Sequence, residues 1–192
     1  EILLEQKSGS VHGLAWGYNH DWQNRVFFIP SGTPTIVNTS FVGHALLDLY
    51  KNEQSANGLI KDMILKIVPF FTEDLNTASV GAGKCFSYTP IDHTKVHNAN
   101  LLGVSLLCRI SRTFDIDLSN YIDPFVEYAL NGQTADGGWD YGSAEAQKWR
   151  DSFHTGFNLN ALRIIEENIS NEELKGRVGE SIEIGDQHYI KD

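Results

Sequence analysis

The sequence predicts an all-α fold of antiparallel helical hairpins stacked side by side. Three observations carry the prediction. A pattern of aromatic loop, small polar cluster and apolar helical run occurs three times along the chain. The apolar residues after each cluster recur with a helical period. No segment reads as a long strand: Val26-Phe27-Phe28-Ile29 is short, lies between turn signals, and reads as loop or one arm of a small hairpin.

The elements follow in order. Ile2 to Gln6 reads as the tail of an outer helix. The first unit runs from Trp16-Gly17-Tyr18 through Val37-Asn38-Thr39-Ser40-Phe41 to Ala45-Leu46-Leu47. Its second helix is marked by Leu59-Ile60, Met63-Ile64 and Ile67-Val68, and Pro69 closes or kinks it. The stretch Gly81-Ala82-Gly83-Lys84 lacks the frame of a phosphate loop and reads as a flexible connection. The second unit runs from Phe86-Ser87-Tyr88 through His97-Asn98-Ala99-Asn100-Leu101 to Ser105-Leu106-Leu107. Leu118, Tyr121-Ile122, Phe125-Val126 and Ala129-Leu130 mark its second helix, with Pro124 in the first turns. The third unit runs from Trp139-Asp140-Tyr141-Gly142 through Phe153-His154-Thr155-Gly156-Phe157 to Asn160-Ala161-Leu162. Ser170-Asn171-Glu172-Glu173 opens the last helix with a capping-box pattern. Gly176, Gly179 and Gly185 weaken that helix by up to ~1 kcal/mol each relative to Ala. Phe41, Leu101 and Phe157 align at spacings of 60 and 56 residues. The first helix of each pair is the more apolar, which places it inside and the second outside. The expected organisation is one domain over 1–192, with units near 11–75, 80–132 and 133–192.

Composition bounds the partners. The chain has 192 residues and a net charge of −10, with 15 Lys and Arg against 25 Asp and Glu. It lacks the basic footprint of a nucleic-acid binder. The longest apolar runs fall far below the ~20 residues of a membrane span. Two cysteines, Cys85 and Cys108, cannot build a disulfide framework and favour a reducing, cytoplasmic setting. Cys85, beside an aromatic cluster, reads as a small buried hydrophobe.

Three features point beyond fold class. Gln133-Thr134-Ala135-Asp136-Gly137-Gly138-Trp139 resembles one copy of the Q-x-x-D-G-x-W motif of squalene cyclase and prenyltransferase repeats. The whole pattern resembles the α/α toroids, which include the six-hairpin glycosidases. Trp16-Gly17-Tyr18 with Asp21-Trp22-Gln23, Val96-His97-Asn98-Ala99-Asn100-Leu101-Leu102-Gly103 and Phe153-His154-Thr155-Gly156-Phe157 resemble a bacterial family encoded among polysaccharide-biosynthesis genes. Relatives in that family have carried a δ-aminolevulinic acid dehydratase label, but the sequence shows no trace of that chemistry. The resemblance implies an α/α toroid in which Gln133 and Trp139 tie neighbouring hairpins together. It transfers no catalytic roles. The cyclase acid motif D-x-D-D is absent, and its nearest string, Asp115-Ile116-Asp117-Leu118, lies between helices. Six hairpins of about 58 residues need about 350, each covered by its neighbours. The chain then reads as about three hairpins of six, cropped upstream, with two apolar flanks prone to self-association.

In such a toroid the loops entering the inner helices surround a cleft, and Asn38, Asn98 and His154 fall at equivalent positions there. Their side chains can bond sugar hydroxyls, or can serve as helix caps and inter-helix ties. Trp16, Tyr18, Trp22, Tyr88, Trp139 and Tyr141 offer flat faces to sugar rings. Trp139 also has a core reading, as part of the hairpin-tying motif. Carboxylate candidates for acid/base work are Asp21, Asp92, Asp140 and Asp151. Asp151 lies three residues before His154, so the two can face together, with Asp151 setting the imidazole's tautomer or simply capping the helix. Asp21, beside Asn19 and His20, also reads as a turn residue. His97 is a further acid/base candidate. His93 and His97 have a metal-like spacing, but Pro90 and Asp92 start the helix near Thr94 and leave His93 outside it. No metal and no cofactor is expected.

The expected function is a carbohydrate-handling protein acting on a bacterial surface polysaccharide or its oligosaccharide precursor, as hydrolase, lyase or epimerase. A non-catalytic glycan-binding or assembly factor is the alternative. Isoprenoid binding would need an unbroken apolar cavity, against which the Asn, His and Asp side chains at the mouth argue.

Overall fold

The computed structural model describes residues 2–9, 11–23, 26–52 and 57–191. After a short helix α1 (Ile2–Glu5), three helical hairpins follow: α2 (Ile36–Asn52) with α3 (Asn57–Pro69), α4 (His97–Phe114) with α5 (Ser119–Asn131), and α6 (Ser152–Asn168) with α7 (Glu172–Lys191). The second hairpin's first helix, α4, packs between α2 and α6, and each of the three packs on its own partner. The α/α-toroid-like helical fold expected from the sequence is the fold observed, with α2, α4 and α6 side by side.

Composition explains the layering. Leu101, Val104, Leu106, Leu107, Cys108 and Ile110 of α4 are fully buried, so the helix is covered on several faces. Each such large apolar side chain contributes roughly 1.5–3 kcal/mol by leaving water. An aromatic chain joins the first two hairpins. Phe70 meets Phe71 edge-on at 5.5 Å, Phe71 meets Phe86 at 5.7 Å, and Phe86 stacks on Phe125 at 3.8 Å.

Local chemistry sets the boundaries. Pro69 ends α3, and Phe70–Asp74 continue as one π-helical turn. Asp115 stops α4 in the left-handed conformation (φ 54°), so the Asp115–Leu118 string does lie between helices. Asn171 caps α7 by accepting from the Leu174 amide (3.2 Å). Pro124 is the sixth residue of α5, in its second turn.

Two small antiparallel ladders interrupt the helices. Strands β1 (Trp22–Gln23) and β2 (Phe28–Ile29) pair Trp22 with Ile29, so the Val26–Ile29 stretch does form one hairpin arm. Strands β3 (Thr77–Val80) and β4 (Gly83–Phe86) turn through Gly81 and pair Thr77 with Phe86. This corrects the reading of 81–84 as a flexible connection. Fully buried Asn100 fixes β4 in place: its Oδ1 accepts from the Phe86 amide (3.2 Å) and its Nδ2 donates to the Phe125 carbonyl (3.0 Å). Cys85 on β4 is buried as expected, and burial pushes its thiol up to about 12.

The Gln133–Trp139 stretch does tie elements together. Gln133 Nε2 donates to the Gly137 and Ser181 carbonyls (3.0 and 2.9 Å), and its Oε1 accepts from the Ser181 hydroxyl (2.7 Å), reaching α7. Trp139 Nε1 donates to the Ala129 carbonyl of α5 (2.9 Å). Gly137 turns at φ 100°, and a Cβ there would lie 2.6 Å from the Ile184 carbonyl oxygen, so the motif's glycine is required twice over. Among the described residues no helix is long and apolar enough to cross a membrane.

Candidate functional site

The starts of α2 and α6 come together: Phe41 and Phe157 meet edge to face at 6.0 Å. Beside them the loop before α6 and the β1–β2 hairpin enclose a cleft of about 540 Å³. Trp22, Tyr141, Trp149 and His154 line it, with Val26, Ala146 and Gln147.

The loop earns its shape from backbone bonds. The Tyr141 amide donates to the Trp149 carbonyl (2.8 Å), and the Trp149 amide donates to the Gln147 carbonyl (2.9 Å). This doubles the loop on itself and stacks Tyr141 on Trp149 at 4.6 Å and 11°. The His97 amide donates to the Tyr141 carbonyl (3.0 Å), which anchors the loop on the start of α4. Both rings meet His154 edge-on, at 4.8 Å for Tyr141 and 5.2 Å for Trp149. Across the cleft, Trp22 stacks on Tyr18 (5.7 Å) and lies parallel to Tyr88 (6.2 Å). The Tyr18 and Tyr88 hydroxyls share a hydrogen bond of 3.2 Å. Burial pushes the Tyr88 phenol up, so it stays protonated.

Asp151 is the N-cap of α6. Its Oδ1 accepts from the His154 amide (2.7 Å), and its carboxylate holds the His154 ring at Nδ1 (2.8 Å to Oδ2). Burial alone would raise the Asp151 carboxyl, but the bonds from the His154 amide and ring outweigh it and the net shift is downward. The carboxylate is therefore ionised. With Nδ1 as its donor, the neutral imidazole carries its lone pair on Nε2. Asp151 itself stands behind His154, on a second depression shared with Ser152, Thr155 and Tyr189.

The other sequence-predicted residues divide. Trp22, Tyr141 and His154 line the cleft, and Tyr18 and Tyr88 pack on Trp22 without lining it. Trp16 and Trp139 do not line it either: they are 4% and 2% exposed, in the core, with Trp16 Nε1 donating to the Leu3 carbonyl (2.7 Å). Their faces are taken by packing, which corrects the assignment of Trp16 to ligand contact and leaves Trp139 its core reading as part of the tying motif. Asp21 is exposed and closes a turn by accepting from the Ser31 amide (2.8 Å). Asp92 is occupied by the Thr89 and Thr94 amides and hydroxyls, and Asp140 by Arg150 Nε (2.8 Å). Asn38 pairs with the Thr35 hydroxyl (2.6 Å). Asn98 is half-buried at the start of α4. His97 is buried, stacked on Tyr128 at 4.8 Å, and burial lowers its pKa to about 4, against a smaller opposing pull from Asp140. It is a neutral core histidine, away from the cleft lining. Sequence reasoning missed Trp149 and Gln147. Trp149 carried a readable signal, a large aromatic two residues ahead of the α6 cap. Among the described residues no three His, Cys, Asp or Glu side chains group so as to hold a metal ion.

Stacked helical hairpins with α2, α4 and α6 side by side make an α/α-toroid-like helical fold. Solved structures agree. A sugar epimerase from a ruminal bacterium superposes with a TM-score of 0.64 at 10% identity, over 94% of this chain and 49% of that one. A glycoside hydrolase family 76 mannosidase from Bacteroides thetaiotaomicron superposes with a TM-score of 0.58 at 9% identity, over 90% of this chain and 47% of that one. The chain thus spans about half the length of these structures. No family model and no curated protein sequence matches it.

Proposed function

We propose that the chain handles a carbohydrate in the aromatic cleft and that His154 moves a proton on it. The observation that carries the reading is the Asp151–His154 pair, set against the Tyr141–Trp149 stack in the cleft wall. Stacked aromatic faces suit the C–H faces of sugar rings. A histidine oriented by a carboxylate suits general acid/base catalysis. His154 is the candidate catalytic residue and Asp151 its positioning residue. The epimerase and the mannosidase, as named, act on carbohydrates, which fits the same reading. The motif resemblance points to a bacterial surface polysaccharide or its oligosaccharide precursor. Two buried free thiols fit a reducing cytoplasm. Exposed Phe41 and Phe153, at 48% and 64%, suit self-association beside the cleft.

The test is to incubate the protein with neutral glucose and mannose oligosaccharides in D₂O. Deuterium entering a carbon-bound position, or new reducing ends, would report proton transfer to a sugar, and His154→Ala should abolish it. Turnover that survives His154→Ala sinks the assignment. Saturable sugar binding without turnover would favour the binding-factor reading, which the largely aromatic lining also supports.

A further inference from the structure

Gln147 lies in the short 3₁₀ turn Glu145–Gln147 and forms part of the cleft wall. It is 1% exposed, yet neither Nε2 nor Oε1 of its side chain has a hydrogen-bond partner among the described residues. Its backbone is fully engaged: the amide donates to the Ala144 carbonyl (2.8 Å), and the carbonyl accepts from the Gly142 and Trp149 amides (3.2 and 2.9 Å). The main chain therefore fixes the residue while the amide end is left without bonds. Gly142 leaves room for that end. A Cβ at this position would lie 2.8 Å from Gln147 Oε1. A buried amide normally finds partners, because desolvation without replacement bonds is unfavourable. A Met or Leu would fill the same space at no such cost.

We infer that Gln147 is a specificity-determining residue of the cleft, its amide held to read neighbouring hydroxyl groups of a sugar. The side chain offers a donor and an acceptor side by side, the complement of two adjacent hydroxyls. It stands in the same wall as Trp149 and His154, so a ring stacked on the aromatic face presents its edge to the amide. The main chain holds the turn, so the amide, packed toward Gly142, meets a ring edge by rotating about its own side-chain bonds. A wall built this way rejects analogues lacking the hydroxyl, since the amide then stays unpaired. The inference rests on the carbohydrate reading of the cleft.

The test uses glucose and mannose disaccharides as probes, followed by the fluorescence of the cleft tryptophans Trp22 and Trp149. For a probe that binds, Gln147→Met should weaken binding about tenfold or more, while the melting temperature holds or rises because the unpaired amide is gone. Single-deoxy forms of the probe should include one whose loss matches that of Gln147→Met and does not add to it. Should the Met variant fail to fold, Gln147→Asn, which withdraws the amide by one methylene, is expected to weaken binding in the same direction. Equal affinity of wild type and variant overturns the inference and leaves the carbohydrate reading standing. No saturable response of the wild type to any probe overturns both.

Discussion

The starts of α2 and α6 share one geometry and differ in chemistry. At α2, the Thr35 hydroxyl accepts from the Asn38 amide (3.0 Å) and donates to its Oδ1 (2.6 Å). At α6, the Asp151 carboxylate accepts from the His154 amide and from its ring. Both are N-cap residues bonded to a side chain three positions on. The α2 pair is neutral and satisfies itself, so it has no proton to exchange. The α6 pair has an ionised carboxylate bonded to an imidazole that lines the cleft. The same capping device is neutral at one helix start and charged at the other. The start of α4 is a third case: Val96 provides no side-chain cap, and His97 is buried and neutral.

The comparison can be broken at its strongest point first. Replacing His154 with Ala is expected to lower turnover of a processed glycan by about 10²–10⁴-fold, the usual contribution of a general acid/base, with the circular dichroism spectrum unchanged. An unchanged rate would make the α6 pair a cap like that of α2. Asp151→Asn keeps a capping side chain but removes the charge that sets the tautomer, so its rate loss should be smaller than that of His154→Ala while its melting temperature stays close to wild type. A large drop in melting temperature would show that the carboxylate serves stability first.

The buried histidine sharpens the contrast through pH. His97 is depressed from 6.5 to about 4 in the folded protein, so folding favours its neutral form. The stability it contributes is complete above pH 6.5 and declines as pH falls toward 4, by a total on the order of 3 kcal/mol. His44 on α2, lowered to about 4 by burial and by Arg109, acts in the same window. Urea unfolding from pH 7 to pH 4 should show this decline, and His97→Phe should flatten it. A slope unaltered by that change would place the acid sensitivity elsewhere. Below that window Asp151 adds its own term: its lowered carboxyl stabilises the fold above its ordinary value of 3.8, and that stability disappears as pH falls through the folded value. The smallest effect belongs to α2. Thr35→Ala should cost about 1 kcal/mol of stability, as lost caps do, with glycan turnover untouched. A fall in turnover would mean that the two helix starts are coupled.

The helical hairpins were legible because their apolar residues repeat at the helical period over many turns. Asp151 and His154 were legible because residues three apart face together on a helix and at its N-cap. The Gln133–Trp139 tie was legible as a motif, and its glycine has a physical reason in the turn at Gly137. The β3–β4 hairpin was not legible: Thr77–Val80 is short and largely exposed, and its register depends on distant Asn100. Trp16 misled because an aromatic residue in a loop looks the same in sequence whether its ring faces solvent or core, whereas the motif around Trp139 marked it for the core. Gln147 was invisible for a related reason: a glutamine among polar loop residues gives no periodic signal, and only the fold reveals that it is buried.

The tie at Gln133 and Trp139 has a consequence for motion. The cleft loop is fastened at one end to α5 and α7, in its middle to the start of α4 through Tyr141 and Ser143, and at the other end to α6 through Asp151. These fastened points are expected to exchange slowly with the helices they hold. In amide hydrogen exchange, the Ala144–Gln147 turn is expected to lose protection well before Trp139 or Thr155. A ligand settling there would then reveal itself as a local slowing of exchange, superimposed on a scaffold that does not respond.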